Sequence, residues 1–334
     1  MTKLGLDLFS LRSQSWNAFQ LMDYSANLGV NVVHFSEPQF IGSLDDSHLE
    51  DVKAHADTLG LEIELGFGSI CATSTRFEKT SGTPREQLLR MFLIAQKLGA
   101  SFVRCYLGSF EDRQGRLPLT QHIKNTVEAC RSVRTEALSL GIKIGIENHA
   151  GDLQAHQLRS LIEEAGSDYV GALIDIGNST WTLEDPHHTL EVLAPYCLTT
   201  GIRDSAVWEV SEGAAAQWVC MGAGNIGIET WTKRFQHLCP DKTYSLEIIN
   251  LRTPRIFPYR RSDFWGHYRD VPASVFTGFL NIARQGKPYR NISPVSQEVK
   301  IDNVTHKELL AKQERRDVEQ AVRYAREVLH IGIT

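Results

Sequence analysis

The sequence predicts a (β/α)8 TIM barrel with a C-terminal extension, and three observations carry this prediction. Short apolar segments rich in Val, Ile and Leu alternate with amphipathic segments along most of the chain. The alternation gives eight strand–helix units over about 250 residues, which is the number that a (β/α)8 barrel has. Several helical segments end in Leu-Gly just before the next strand, a common helix stop, at 28–29, 59–60, 98–99 and 140–141.

The strand prediction rests on nearly continuous apolar character, which is typical of parallel strands buried on both faces. The segments are 3–9, 30–35, 61–66, 101–107, 142–147, 170–175, 198–203 and 244–249. The helices have apolar residues at helical spacing on one face, at 17–28, 85–98, 121–139, 156–165 and 228–238. An open doubly wound sheet is the rival fold. It is disfavoured because no G-x-G-x-x-G motif follows the first strand.

The chain divides into two predicted parts. Residues 1–252 form the barrel, and residues 253–334 form an extension made of a loop and a terminal helix over 306–329. The extension contains a basic aromatic stretch, P-R-I-F-P-Y-R-R-S-D-F-W-G-H-Y-R. We expect it to pack on the barrel or to form a subunit interface, which leaves a homo-oligomer open.

Composition narrows the function classes. The net charge of −5 and the pI near 6.2 argue against a nucleic-acid-binding surface. No segment is apolar for the length that a membrane span needs. The first residues, M-T-K-L-G-L-D-L-F, read as a strand and not as a signal peptide. The six cysteines show no C-x-x-C spacing, which favours reduced core thiols in a cytoplasmic protein.

Three predicted strands end in a carboxylate, and active sites of barrels lie at that end of the strands. The three residues are Glu147, Asp175 and Glu247. One such residue alone is usually a loop cap or an ion-pair partner. Three in one cavity repel one another unless a cation compensates them, and carboxylate oxygens suit Mg²⁺ or Mn²⁺. The sequence therefore predicts a divalent metal site at this end of the barrel.

Five short segments in order along the chain strengthen this prediction: I-E-N-H at 146–149, L-I-D-I-G-N at 173–178, I-R-D-S at 202–205, M-G-A-G-N-I at 221–226 and L-E-I-I-N at 246–250. Together they resemble the xylose isomerase-like TIM barrels, a superfamily of sugar (phosphate) isomerases and epimerases that also includes endonuclease-IV-type repair enzymes. The resemblance covers roughly residues 3–250. It implies that Glu147, Asp175 and Glu247 hold a divalent metal, with Mn²⁺ or Mg²⁺ favoured and Zn²⁺ or Co²⁺ as alternatives.

Two positions depart from the family pattern. Gly201 lies where the family has a metal-binding His three residues before an Asp, and Asn178 replaces the His of a D-x-x-H pattern. Gln217, in the segment A-Q-W-V-C-M-G-A-G, is the leading candidate for a fourth ligand. His149, a water molecule or the absence of a metal are the alternatives.

The resemblance implies enediolate chemistry on a small sugar. Glu147 and Glu247 would transfer the proton while also touching the metal, and Asp175 would be a ligand only. His34, His149, Asn178 and Arg203 are the predicted substrate-binding residues. Two of these have structural alternatives: a salt bridge between Arg203 and Asp204, and a purely structural role for His34.

The leading function is therefore a metal-dependent isomerase or epimerase of a sugar or keto-sugar. A metal-dependent lyase or hydrolase acting on an oxidised sugar glycoside is the second hypothesis, because the same carboxylates can drive elimination next to a carbonyl. A barrel that has lost its metal and its catalysis is the third. The endonuclease function fits poorly, because it requires more His ligands than this acidic chain offers.

Overall fold

Eight parallel strands form the barrel of the protein, in a computed structural model that describes residues 2–250, 253–289 and 303–332. Neighbouring strands follow one another in sequence order, and the last barrel strand lies beside the first. Backbone bridges between the segments of the last two barrel strands close the ring. The predicted (β/α)8 barrel is confirmed. The barrel strands are β1 Leu4–Asp7, β2 Val32–Phe35, β3 Glu62–Ser69, β4 Phe102–Tyr106, β5 Lys143–Glu147, β6 Val170–Asp175, β7 Cys197–Gly201 and β10 Tyr244–Leu246.

Helices lie between successive strands where apolar spacing predicts them. In α3, Thr83 and Glu86 form a capping box at the start, Pro84 occupies the first turn, and Gly99 ends the helix with φ of 71°. The helices are α1 Ala18–Asn27, α2 Asp46–Leu59, α3 Pro84–Leu98, α4 Phe110–Arg113, α5 Leu119–Arg131, α6 Arg134–Leu140, α7 Ala155–Ala165, α8 Ile176–Ser179, α9 Pro186–Leu193, α10 Ile228–Leu238, α11 Ala273–Gln285 and α12 Asn303–Glu327.

Two features of the barrel segment differ from the prediction, and the extension contains a strand over Arg255–Phe257 and helix α11 in addition to the predicted terminal helix. The single helix expected over 121–139 is broken at Ser132 and Val133 into α5 and α6. An antiparallel ribbon of β8 Asp204–Val210 and β9 Gly213–Val219 leaves the barrel between β7 and α10. Three of the seven residues of β9 are alanines, which have weak strand propensity, so the sequence gives little signal for that strand.

The extension packs on the barrel in the part that the structure describes. Its strand β11, Arg255–Phe257, pairs with β9 and completes a three-stranded sheet. Helix α12 packs beside the segment that follows β1, where Glu314 accepts hydrogen bonds from the Ser13 amide and hydroxyl. The predicted boundary at residue 252 therefore separates segments that share a sheet. Within the described ranges, no helix has the length and apolar character to cross a membrane.

Candidate active site at the carboxyl ends of the strands

The three predicted carboxylates come together in the structure. Glu147 ends β5, Asp175 ends β6, and Glu247 follows β10, so the barrel topology brings them to one end. Each offers an oxygen, and these oxygens lie within 4.8 Å of one another. All three side chains are buried. This spacing is one that a metal ion can bridge.

Two arginines already pair with these carboxylates. Arg104 Nε donates to Glu147 Oε2 at 2.5 Å. Arg203 Nη2 donates to Asp175 Oδ2 and also to Glu247 Oε2. The predicted alternative for Arg203, a salt bridge with Asp204, is not what the structure shows. Asp204 instead accepts hydrogen bonds from the backbone amides of Ser205, Gly222 and Gly224.

Asn178 completes the set of donors to the carboxylates. Its backbone amide donates to Asp175 Oδ1 at 2.8 Å, and its Nδ2 donates to Glu147 Oε1 at 3.0 Å. Asn148 joins the same two strand ends, exchanging hydrogen bonds of 2.8 Å with the backbone of Asp175. Both oxygens of Glu147 and of Asp175 therefore accept hydrogen bonds from the chain.

Burial and charge act on the site in opposite directions. Burial raises the pKa of the Asp175 carboxyl, and the Arg203 guanidinium opposes that rise. Burial alone would lower the pKa of Arg203, but the neighbouring carboxylates, with Asp175 and Glu247 first among them, together outweigh burial and the net shift of the pKa is upward. The guanidinium is thus a fixed positive charge at the centre of the site.

A cavity of about 310 Å³ opens above these residues. Glu247, Arg203, Arg104 and Asn178 line it, whereas Glu147 and Asp175 lie behind them. Aromatic rings supply much of the remaining wall, and the Trp181 and Trp218 rings stack with centroids 4.4 Å apart. The aromatic wall residues are Phe9, Tyr106, Phe110, Trp181 and Trp218. Rings of this kind can pack against the apolar face of a sugar.

His149 lines the cavity, as a predicted substrate-binding residue should. Its ring stacks on Tyr106 at 3.9 Å between centroids, and its Nδ1 lies 2.6 Å from the carbonyl oxygen of Gly108. With Nδ1–H donating to that carbonyl, Nε2 is the acceptor nitrogen. Burial lowers the pKa of His149 to about 3, so the ring is neutral at physiological pH. A neutral His149 can accept a hydrogen bond from a substrate hydroxyl.

The turn that carries His149 is held by a buried carboxyl group that sequence reasoning did not select. Asp152 accepts hydrogen bonds from the backbone amides of His149 and Gly108, at 2.9 and 3.0 Å. The turn includes Ala150 and Gly151 at φ of 32° and 87°, conformations that favour small residues. Burial raises the pKa of Asp152 to about 8.

His34 is not placed as predicted. It is almost completely buried below the cavity, with Nδ1 3.4 Å from Asp7 Oδ2, and it is not part of the cavity wall. Burial lowers its pKa to about 3, so the contact with Asp7 involves a neutral ring. This position favours the structural alternative and not direct substrate binding.

Gln217 lies on the ribbon strand β9, opposite Ala206. Side chains alternate between the two faces of a strand, and its neighbour Trp218 faces the cavity. Gln217 therefore shares the other face with Ala215 and Val219, which pack in a separate apolar cluster. This placement argues against Gln217 as a metal ligand.

The spacing of Glu147, Asp175 and Glu247 could hold a divalent metal, but in this arrangement Arg203 competes for the same oxygens. A metal needs carboxylate lone pairs that point at it, yet Arg203 occupies the oxygens of Asp175 and Glu247 that face each other. Gly201 supplies no fourth ligand, and Gln217 points away. The three carboxylates are a possible ligand set only if Arg203 leaves them.

Several residues of the cavity wall were not among the site residues predicted from the sequence. Glu37 follows β2, and Arg104 and Tyr106 lie on β4. Their positions near strand ends were the available signal, but polar residues there are common. Trp181 and Trp218 carried no signal that separates a cavity wall from a core.

The chain belongs to the xylose isomerase-like TIM barrel family, because the sequence model of that family matches residues 22–262. This confirms the resemblance seen in the five short segments. The match covers the strands that carry all three carboxylates.

Individual relatives are distant. The chain is 23% identical over 186 residues to 3-oxo-isoapionate decarboxylase of Pectobacterium atrosepticum, a match that covers 56% of this chain and 60% of that protein. Among solved structures, D-psicose 3-epimerase from Clostridium cellulolyticum H10 is 13% identical with a TM-score of 0.63, covering 98% of this chain and 99% of that one. The IOLI protein with a bound zinc atom is 15% identical with a TM-score of 0.58, covering 84% and 96%.

Proposed function

We propose that the protein is an enzyme that moves a proton at the carbon next to a carbonyl group of a small sugar or keto-sugar, an isomerase or epimerase reaction through an enediolate. One observation carries the proposal: Glu247 reaches the cavity directly beside the guanidinium of Arg203. A carboxylate next to a fixed cation is the pair of groups that enolisation requires.

In the proposed reaction Glu247 removes the proton from the carbon, and the electron pair moves to the carbonyl oxygen. Arg203 stabilises the negative charge that develops on that oxygen. Return of the proton to the former carbonyl carbon, with transfer of the adjacent hydroxyl proton to the former carbonyl oxygen, gives an isomer. Return of the proton to the other face of the original carbon gives an epimer. No step is assigned to a metal, because the metal-dependent form predicted from the sequence requires Arg203 to move away.

The second proton-transfer group needs access to the substrate. Glu147, which the sequence pairs with Glu247, is covered by Arg104 and Asn178. Glu37 lines the cavity, and burial raises its pKa. We therefore propose Glu37 as the second acid–base group, and Glu147 as the residue that fixes Arg104.

The unpartnered polar atoms in the described part of the site suit a polyhydroxylated ligand. Arg203 Nε and Trp181 Nε1 are buried donors without a partner there, and Asn178 Oδ1 is a buried acceptor without one. Buried polar groups are normally paired. Sugar hydroxyl and carbonyl oxygens can satisfy all three, while the Trp181–Trp218 pair packs against the ring face.

A lyase is the second candidate, and the curated decarboxylase relative favours it. Loss of carbon dioxide from a 3-oxo acid leaves the same kind of enolate, which Arg203 would stabilise in the same way. The elimination reaction on an oxidised sugar glycoside, predicted as the alternative from the sequence, also passes through such an anion.

Isotope exchange tests the proposal. The protein is incubated in D₂O with a panel of ketoses, 3-keto-sugars and 3-oxo sugar acids, and the products are followed by NMR. Deuterium at the carbon next to the carbonyl, without cleavage, is expected. Cleavage or CO₂ release would favour the lyase. A folded protein that does neither with any member of the panel would contradict the proposed function.

A further inference from the structure

We propose that the Arg203 guanidinium takes the central position between the carboxylates where a divalent metal is expected, so that this site works without a metal. The proposal concerns the same site as the proposed function, and the catalytic role of Arg203 rests on that function. The statement about the metal does not rest on it.

The charges at the site are already compensated by the chain. Arg203 pairs with both Asp175 and Glu247, and Arg104 pairs with Glu147. A divalent cation would meet two guanidinium groups at close range in a buried environment, where repulsion is weakly screened. Either the cation is excluded or Arg203 must leave.

The space for Arg203 comes from two glycines. A Cβ atom on Gly177 would lie 2.3 Å from Arg203 Cγ and 2.5 Å from Cδ, so only glycine lets the stem of the arginine pass. A Cβ atom on Gly201 would lie 3.0 Å from Asp175 Oδ2 and 3.3 Å from Glu247 Oε2. Position 201 therefore faces the two oxygens that Arg203 binds, and a larger side chain there would compete with the guanidinium.

An aromatic ring holds the guanidinium in place. The Arg203 Cζ atom lies 4.3 Å from the centroid of the Trp218 ring, within the range of a cation–π interaction. The arginine is 3% exposed. Moving Arg203 out to admit a metal would break this stacking and both ion pairs. The inward position of Arg203 therefore depends on the space at Gly177 and on contacts with Trp218, Asp175 and Glu247.

This arrangement also has a chemical consequence. Arg203 is bound to the same carboxylate that accepts the substrate proton. As Glu247 becomes protonated its ion pair with Arg203 weakens, while negative charge appears on the substrate oxygen. The buried Arg203 Nε, which has no partner in the described part of the chain, can donate to that oxygen. The guanidinium therefore exchanges one anionic partner for another without moving far.

Metal binding by the wild-type protein is the first test. Protein purified without chelator should contain less than ~0.2 equivalents of divalent metal. Addition of 1 mM Mn²⁺ or Zn²⁺ should change the thermal midpoint by less than about 1 °C, since Arg203 excludes the ion from the three carboxylates. About one equivalent of tightly bound metal, or activity that EDTA abolishes and Mn²⁺ restores, would overturn the proposal.

Variants sharpen the test. Arg203→Gln frees oxygens of Asp175 and Glu247, so 1 mM Mn²⁺ should raise its thermal midpoint by about 4 °C. Addition of Gly201→His to this variant supplies a nitrogen ligand and should increase the shift of the thermal midpoint.

The control Arg234→Gln removes an exposed arginine that pairs with Glu191 on the surface, and its thermal midpoint should respond to Mn²⁺ like that of wild type. A folded Arg203→Gln variant with no response would contradict the replacement of a metal by Arg203. If it does not fold, the wild-type measurement decides alone.

The outcomes separate this inference from the proposed function. Metal-free protein that fails in the exchange panel would contradict the function and leave the metal statement intact. Protein that exchanges deuterium but carries stoichiometric metal would contradict only the inference.

Discussion

The two ends of the barrel both bury carboxyl groups, but they compensate them differently. At the carboxyl ends of the strands, Arg104 and Arg203 pair with Glu147, Asp175 and Glu247. Near the amino ends, Glu64 on β3 is buried, and its hydrogen bond from Thr199 Oγ1, at 2.7 Å, comes from an uncharged group.

The difference lies in the groups that neighbour the buried carboxyls. A guanidinium keeps a neighbouring carboxylate charged, whereas burial among neutral groups favours the protonated acid. Burial raises the pKa of Glu64 to about 7, and the hydroxyl donors offset only part of that rise. The carboxyl ends therefore hold carboxyl groups in contact with guanidinium groups, and the amino end holds an acid whose charge depends on pH.

The largest expected effect is on turnover. Glu247→Gln keeps the shape of the side chain but removes the base, so kcat should fall by about 10³-fold, the size typical of losing a general base. Steady-state kinetics with an active substrate from the panel measures it, and circular dichroism confirms the fold. Glu62→Gln, at an exposed residue paired with Lys3 near the amino ends, is the matched control and should keep full activity. Retained activity in Glu247→Gln would remove Glu247 from proton transfer.

The next effect is on stability at the charged end. Arg104→Gln leaves Glu147 buried without its cation, which should lower the free energy of unfolding by about 3 kcal/mol. Urea denaturation measures the loss. Arg234→Gln breaks an exposed pair with Glu191 and should cost less than about 1 kcal/mol. Equal losses in the two variants would show that burial does not distinguish these ion pairs.

A pH dependence should distinguish the amino end. The pKa of Glu64 is about 7 in the folded protein against 4.5 normally, so the folded state binds more protons than the unfolded state between these values. Its contribution to stability is therefore full below pH 4.5 and is lost as pH rises toward 7 and above. Glu64→Gln lacks this loss. As pH rises from 5 to 8, the free energy of unfolding of the variant should therefore increase relative to that of wild type by on the order of 2 kcal/mol. Parallel curves of unfolding free energy against pH would contradict a raised pKa.

The smallest effect concerns the neutral donor to Glu64. Thr199→Val removes one hydroxyl donor at nearly constant volume, so it should cost about 1 kcal/mol at pH 5. The cost should increase at pH 8, where Glu64 is charged. Thr58→Val, at an exposed helix position whose hydroxyl bonds the Ala54 carbonyl, controls for the change of residue type. A Thr199→Val variant as stable as wild type at both pH values would show that this hydrogen bond does not support the buried acid.

Local sequence patterns were sufficient to predict most strands and helices of the barrel. Continuous apolar runs predicted the strands because parallel strands are covered on both faces, and Leu-Gly stops predicted helix ends because glycine adopts the left-handed conformation cheaply. The ribbon formed by β8 and β9 escaped prediction. Strand β9 lies between β8 and β11, and a Cβ on Gly213 would lie 2.0 Å from the Phe257 carbonyl oxygen, a contact between segments far apart in sequence.

The chain by itself determined that Glu147, Asp175 and Glu247 would meet, because the topology of a parallel barrel brings the ends of its strands to one rim. Only the tertiary structure decided what lies between them. Whether Arg203 turns inward depends on the missing side chains of Gly177 and Gly201 and on the Trp218 ring, which arrive from three different segments. Side-chain direction is set by packing between such segments. For this reason the sequence did not predict that His34 lies outside the cavity wall, that Gln217 faces away from the cavity or that Glu37 lines it.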